Sequence, residues 1–282
     1  MLPILAGPIS YGQAVVLGLL QGFSELFPIS SLGHSVILPQ LLGWDIHQND
    51  AYFITFLVAT HLATAIVLFL VFLEDWKRIL SGLWRSLAQR EIRDDNPEAR
   101  LGWLLVIGTV PAGVIGLLAE DALRGVFASA ASASFFLMLN GVMLYGAERL
   151  RRRAPGPEMS WAGSIGVGAA QALALIPGFS RSGASMGGGL LVGLSNEDAA
   201  RFSFLLATPI IGAAALLKLP ELFGSEGNGV RGPALVAALC AALTAYLSVR
   251  FLMRYFETNR LTPFAAYCFV AGLLLSVYFA VT

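Results

Sequence analysis

The sequence predicts an all-α integral membrane protein of six transmembrane helices and two re-entrant helical hairpins, arranged as an inverted-topology repeat. Three observations carry that prediction. The composition is 56% hydrophobic and 13% charged, with a mean hydropathy of +0.72, whereas a soluble domain carries roughly 25% charged residues. Charge-poor runs of membrane length recur along the whole chain, and one motif of small and polar residues occurs twice. Eighteen Lys and Arg balance eighteen Asp and Glu, and the basic residues are scattered in short loops, so nucleic acid is not an expected partner. Cys240 and Cys268 lie within apolar runs and suggest buried small hydrophobes, not a disulfide framework. The first Lys or Arg is Lys77, so no basic n-region of a signal peptide precedes the opening hydrophobic stretch, which is expected to stay in the mature protein.

In chain order the apolar runs fall at about 1–24, 51–73, 101–119, 131–147, 159–180, 202–217, 232–249 and 261–281. Pro, Gly and Ser break the stretches 1–44 and 159–196, and such backbone is tolerated at membrane depth only where it is buried in protein or lines a cavity. Six spans and two broken hairpins remain. Between the first spans, residues 74–100 read as a solvated cytoplasmic loop with an interfacial tryptophan, Trp76. Asp45, His47 and Asp50 read as a solvated outer loop and not as a metal site.

Orientation follows from the basic residues. Lys77, Arg78, Arg85, Arg90, Arg93 and Arg100 share one loop, Arg149, Arg151, Arg152 and Arg153 a second, and Arg250, Arg254 and Arg260 a third. These loops alternate with poorly basic ones around 120–131 and 220–231, which makes the basic set cytoplasmic. The first broken segment then enters and leaves from outside, the second from inside, and the C-terminus lies outside.

A repeat accounts for the opposed entry. Gln21 matches Gln171, Ser30 matches Ser180, Gly33 matches Gly183 and Ser35 matches Ser185, each at an offset of 150, and Phe56-Leu57-Val58-Ala59-Thr60 is echoed by Phe204-Leu205-Leu206-Ala207-Thr208. The expected organisation is a first repeat over 1–150 and a second over 151–282, each a broken hairpin plus three spans, in one membrane domain. Inverted repeats of this kind place their site near the midplane, where the broken helices meet.

The chemistry concentrates in the two broken segments. Glu25 is the first charge in the chain, and Gln21 lies one helical turn earlier on the same face. Pro28 ends that helix ahead of Ser30, Ser31 and His34. In the second segment Arg181 is the one Lys, Arg, Asp or Glu between Glu158 and Glu197. Burying it in a bilayer costs roughly 2.5–3.5 kcal/mol on insertion scales, so a partner or anionic ligand is expected. Pro177 and Gly178 open backbone N–H groups beside it, Ser180, Ser182 and Ser185 add hydroxyls, and the arginine fork matches phosphate oxygens.

The segments Gln21-Gly-Phe-Ser-Glu25-Leu-Phe-Pro-Ile-Ser30-Ser31-Leu-Gly-His34 and Pro177-Gly-Phe-Ser180-Arg181-Ser182-Gly-Ala-Ser185 resemble the two signatures of the bacitracin-resistance type undecaprenyl-diphosphatases. That resemblance implies a membrane phosphatase that removes the terminal phosphate of undecaprenyl diphosphate and recycles the lipid carrier of cell-wall precursors. It marks Glu25, His34 and Arg181 as essential, places Gln21 where the family has Glu or Gln, and makes Ser30, Ser31, Ser180 and Ser182 active-site hydroxyls. Ser185 stands where threonine is frequent, and His61 where many relatives carry glutamine. The implied setting is the bacterial inner membrane with a site open to the periplasm. The expected partners are the polyprenyl diphosphate and the bilayer, with a homodimer allowed for.

A diphosphate must be neutralised before a nucleophile approaches it. Arg181, serine hydroxyls and hairpin N–H groups are suited to that, together with a hard divalent cation, Mg²⁺ or Ca²⁺, held chiefly by phosphate oxygens with Glu25 as its protein ligand. Glu25 could equally act as general base, and Ser31, His34 and water all stay open as nucleophile. The stretch Gly183-Ala-Ser185-Met-Gly187 fits the G-x-S-x-G pattern only weakly in so glycine-rich a chain. A vanadium-haloperoxidase-like phosphatase is excluded because no histidine follows His61. The alternative is a transporter or flippase of an anionic polyprenyl lipid. The phosphatase reading requires the two broken segments to meet, with Arg181 and Ser180 facing Glu25, Ser31 and His34.

Overall fold

Four serines start the short helices of the protein. In the computed structural model, which describes residues 9–46, 51–93, 95–126, 129–151, 159–224 and 227–282, Ser10 caps α1 (Tyr11–Ser24) and Ser30 caps α2 (Ser31–Leu41). Ser160 caps α7 (Trp161–Gln171), which runs into a 3₁₀ turn (Ala172–Leu175), and Ser180 caps α8 (Arg181–Val192). Each hydroxyl accepts the backbone N–H three residues on, at Gln13, Gly33, Gly163 and Gly183, the arrangement that satisfies one orphan donor of a helix start. The four caps fall into two pairs, Ser10 with Ser160 and Ser30 with Ser180. At 11 to 14 residues these helices reach about 16–21 Å, short of the ~30 Å hydrocarbon layer.

The remaining elements are α3 (Ala51–Val71), α4 (Leu73–Gln89), α5 (Pro97–Val126), α6 (Ala130–Leu150), α9 (Asn196–Phe223), α10 (Arg231–Phe256) and α11 (Thr262–Val281). All but α4 are long and apolar enough to cross a membrane, giving six candidate spans. Pro111, Pro209 and Pro220 sit inside α5 and α9, where neighbouring helices can re-satisfy the freed carbonyls. Among the described residues there is no strand.

Small residues bring these helices into backbone contact. On α1, a Cβ at Gly18 would lie 2.4 Å from the Ala237 carbonyl oxygen, and one at Gly22 would lie 2.1 Å from that of Ala241. Gly18 and Gly22 thus face the buried Ala237, Ala241 and Ala245 of α10, the small-residue packing of helices that gain nothing from mutual hydrophobicity in lipid. The α6–α11 crossing is similar, with Gly141 on the Ala265 carbonyl and Gly272 on the Met138 nitrogen. Outward faces carry Leu, Val and Phe, including Phe269, Val270, Leu273, Leu274 and Val277 of α11.

One segment departs from the sequence expectation. Residues 73–89 form helix α4 where a solvated loop was expected, and Trp76 is buried against the protein. Trp76, Ile79, Gly82 and Ser86 recur at helical spacing along its buried face, while Glu74, Lys77, Arg78 and Arg85 are exposed, so the segment is amphipathic. Asp75 of α4 pairs with Arg201 of α9. A second tie joins the ends of α6, α9 and α11. The buried Glu148 carboxylate accepts Asn196 Nδ2 (3.3 Å) and the Leu261 N–H (3.1 Å), with Arg151 3.5 Å away. His47, Asp50, Arg152 and Arg153 lie outside the described residues. Cys240 and Cys268 are free thiols, and Cys268 is fully buried beside α6.

Candidate active site

Glu25 ends α1 at the point where the chain turns towards α2, and four side chains converge on it. Gln21, one turn earlier, donates Nε2–H to Glu25 Oε2 at 3.1 Å. Ser31, first residue of α2, donates its hydroxyl to the same oxygen at 2.5 Å. His61 of α3 brings Nε2 to 3.4 Å from it, with Nδ1 2.8 Å from the Leu57 carbonyl. Arg181, first residue of α8 and 156 residues along the chain, donates Nε–H (3.2 Å) and Nη2–H (3.1 Å) to Oε1. Carboxylate and guanidinium are 6% and 12% exposed, so this is a desolvated pair in which either partner alone would be an unpaired buried charge. A carboxylate only accepts. The Gln21 amide is therefore oriented with nitrogen towards Glu25, and its Oε1 is left buried without a hydrogen-bond partner.

The second motif is built into the joint between the broken segments. Ser182 donates its hydroxyl to the Phe27 carbonyl of the first segment at 3.0 Å, and Ser180 Oγ, 3.0 Å away, supplies the proton between the two hydroxyls while capping Gly183 N. Ser185 Oγ lies 2.8 Å from the Arg181 carbonyl and 2.6 Å from Ser203 Oγ of α9. Arg181 Nη1 reaches the Ser203 carbonyl at 3.4 Å. Gly178 has φ +106°, and a Cβ there would sit 2.3 Å from the Ala133 carbonyl oxygen of α6; only glycine suits that left-handed turn pressed onto a helix. Ser30 also has a positive φ, 72°, a strained conformation for a residue with a side chain.

Two residues that sequence reasoning missed hold this joint. Asn140 of α6, fully buried, donates Nδ2–H to the Pro28 carbonyl at 3.0 Å and accepts the Ser180 N–H on Oδ1 at 3.0 Å, touching both motifs at once. A lone Asn within the apolar 131–147 run was the signal, since polar groups in lipid require partners. Ser203 carried no such signal, lying among small and apolar residues. His34 is placed apart from the carboxylate. Its ring Nδ1 is 2.7 Å from the Ser30 carbonyl and its Nε2 2.8 Å from the Tyr267 hydroxyl of α11. Neither contact involves Glu25 or Arg181. Of the residues singled out in the sequence, Gln21, Glu25, Ser31, His61 and Arg181 therefore form one contact set, Ser30, Ser180, Ser182 and Ser185 frame it, and His34 flanks it.

The sequence matches a known family. The model of the family described as Bacitracin resistance protein BacA matches residues 14–274. The chain belongs to this family. It is 47% identical to a Mycolicibacterium paratuberculosis protein named undecaprenyl-diphosphatase, over 94% of this chain and 95% of that one. It is 46% identical to undecaprenyl-diphosphatase 2 of Chromobacterium violaceum, over 93% and 96%, and 41% identical to undecaprenyl-diphosphatase 2 of Frankia alni, over 97% and 99%. The match runs from within α1 into α11, taking in five of the six candidate spans whole and the first part of the sixth.

Proposed function

We propose that the protein is a membrane-embedded phosphatase that hydrolyses undecaprenyl diphosphate to undecaprenyl phosphate and inorganic phosphate, returning the lipid carrier to cell-wall synthesis. The observation that carries this reading is the double engagement of Glu25, which holds the Ser31 hydroxyl at 2.5 Å on one oxygen and the Arg181 fork on the other. A nucleophile and a phosphate-binding cation thereby both touch one base. A lipid carrier protein needs cations and donors but no carboxylate on a serine. The near-full-length relatives are named as diphosphatases, which also disfavours the transporter reading.

In this mechanism the terminal phosphoryl group takes the Arg181 fork, which passes from Glu25 to the phosphoryl oxygens. Ser31 Oγ attacks phosphorus as its proton moves to Glu25, the bridging P–O bond breaks, and undecaprenyl phosphate leaves. Water then cleaves the phosphoserine, with His34 taking the water's proton and Ser31 regaining its own from Glu25. The hairpin N–H groups and the hydroxyls of Ser30, Ser180, Ser182 and Ser185 keep the loops in place around the phosphate.

A divalent cation fits these residues in one manner only. Among the described residues no group of three or more His, Cys, Asp or Glu could form a protein cage; the orphaned oxygen here is Gln21 Oε1, beside Glu25, whose oxygens are held by Gln21, Ser31 and Arg181 until a ligand takes those donors. Two oxygens suit Mg²⁺ or Ca²⁺ that takes its remaining ligands from phosphate and water. When bound, such an ion would offset charge on the diphosphate.

We also infer that α1–α2 and α7–α8 are re-entrant hairpins and that residues 1–150 and 151–282 are inverted repeats in one membrane domain. The short helices, the serine caps spaced 150 apart and the alternation of basic loops support this. The family resemblance supports an inner-membrane location with access from the periplasm. The test is phosphate release from undecaprenyl diphosphate by purified protein in detergent, where transport has no meaning. Release suppressed by a chelator and restored by Mg²⁺ or Ca²⁺ is expected; no release in detergent, with lipid translocation in vesicles, would sink the phosphatase reading.

A further inference from the structure

Tyr267 lies on α11, more than 230 residues from His34, yet its hydroxyl sits 2.8 Å from His34 Nε2. The two ring planes are also nearly parallel, 12° apart, with centroids 5.9 Å from each other. The Ser30 carbonyl 2.7 Å from Nδ1 can only accept, so Nδ1 carries the ring proton and Nε2 presents its lone pair. The Tyr267 O–H is then the donor. We propose that Tyr267 is the positioning residue of His34, holding the ring so that Nε2 stays the proton-accepting end while the Ser30 carbonyl fixes the other nitrogen. The inference rests on the phosphatase reading and deepens it.

A hydroxyl has a property here that a carboxylate orienter lacks. It donates to Nε2 while the ring is neutral, so a proton reaches Nε2 through the phenol oxygen: the Tyr267 O–H proton passes to Nε2 as that oxygen takes one from water, and the same oxygen then accepts from Nε2–H. Tyr267 thus keeps a hydrogen bond to His34 before and after proton transfer with no movement of heavy atoms. The geometry that locks His34 is otherwise local to its own turn, since Ser30 is four residues earlier and strained at φ 72°. Tyr267 is the contact that ties the ring to the spanning bundle. Tyr267 is 46% exposed, at the edge of the bundle.

The experiment compares Tyr267→Phe, His34→Ala and the double variant in detergent with undecaprenyl diphosphate as substrate. Phenylalanine keeps the ring and removes only the hydroxyl. Tyr267→Phe is expected to lower kcat about tenfold, the scale of one hydrogen bond, with KM changed by less than about twofold, and the double variant is expected to be no slower than His34→Ala. In ¹⁵N-histidine spectra, the Nε2 resonance that disappears in His34→Ala should move in Tyr267→Phe, a readout independent of turnover. Unchanged kcat with an unmoved resonance overturns the proposal, as does a double variant whose losses multiply. Wild-type turnover in His34→Ala overturns the role of His34 itself and this proposal with it, whereas an impaired His34→Ala beside a normal Tyr267→Phe overturns the Tyr267 step alone.

Discussion

At the scale of single residues, Glu25 and Arg181 are each other's main reason for being tolerated in the membrane. Removing one member of a buried pair leaves an uncompensated charge, at a cost of about 3–5 kcal/mol. Glu25→Gln is therefore expected to lower the Tm of the purified protein while leaving it folded, and to cut turnover by roughly 10²-fold or more through loss of the base. Diphosphate binding should survive, because the guanidinium is then free of its carboxylate; normal hydrolysis in this variant would refute both assignments of Glu25. Arg181→Lys keeps the charge but cannot place two N–H groups on Oε1 as Nε and Nη2 do. A loss of roughly 10²-fold in kcat/KM is expected, and near-normal values would mean that charge alone suffices. Most of this set was readable from residue type and position, since an isolated intramembrane arginine and carboxylate each demand a partner. Asn140 and Tyr267 were not, because what matters about them is which distant backbone or ring they reach.

At the scale of elements, the site depends on how closely α1 approaches α10. Gly22 directly follows Gln21 and precedes Glu25 by three residues, and its missing side chain is what lets α1 rest on the Ala241 carbonyl and Thr244. Gly22→Ala should force α1 outward, costing about 1–3 kcal/mol by overpacking and reducing activity by moving Glu25. Gly12→Ala on the same helix meets nothing within 4 Å and should leave Tm unchanged or slightly raised, given the helix preference for alanine. Thermal melts and phosphate release of the two variants make the comparison, and equal behaviour would show that the crossing is not tightly packed. The helix α4 illustrates the converse limit of element reading. Its charge content suggested a loop, yet charges on one face are compatible with an apolar opposite face, and Trp76, Ile79, Gly82 and Ser86 had the helical period all along.

For the whole molecule, the basic loops set an orientation that can be measured. In a background with Cys240 and Cys268 replaced, a cysteine at Arg90 should be shielded from an impermeant thiol reagent in intact cells and one at Thr282 should react. The reverse pattern would invert the topology and put the site on the cytoplasmic side. The orientation is separate from the chemistry, because the Glu25–Arg181 contact has no direction across the membrane.

The sequence by itself determined the all-helical membrane class, the six candidate spans and the two broken segments, because these follow from hydropathy, chain length and helix-breaking residues that act locally. Its repeated Ser30 and Ser180 were read as active-site hydroxyls; that they also cap helices came from the structure. The meeting of Arg181 with Glu25 was expected from the sequence; only the tertiary structure decided how they meet, with the Arg181 fork on one Glu25 oxygen and Gln21, Ser31 and His61 on the other, that Asn140 ties the two motifs, and that His34 faces Tyr267 instead of Glu25. Those contacts depend on how helices distant in the chain pack face to face, and packing in a bilayer is governed by small residues and shape complementarity that no local pattern encodes.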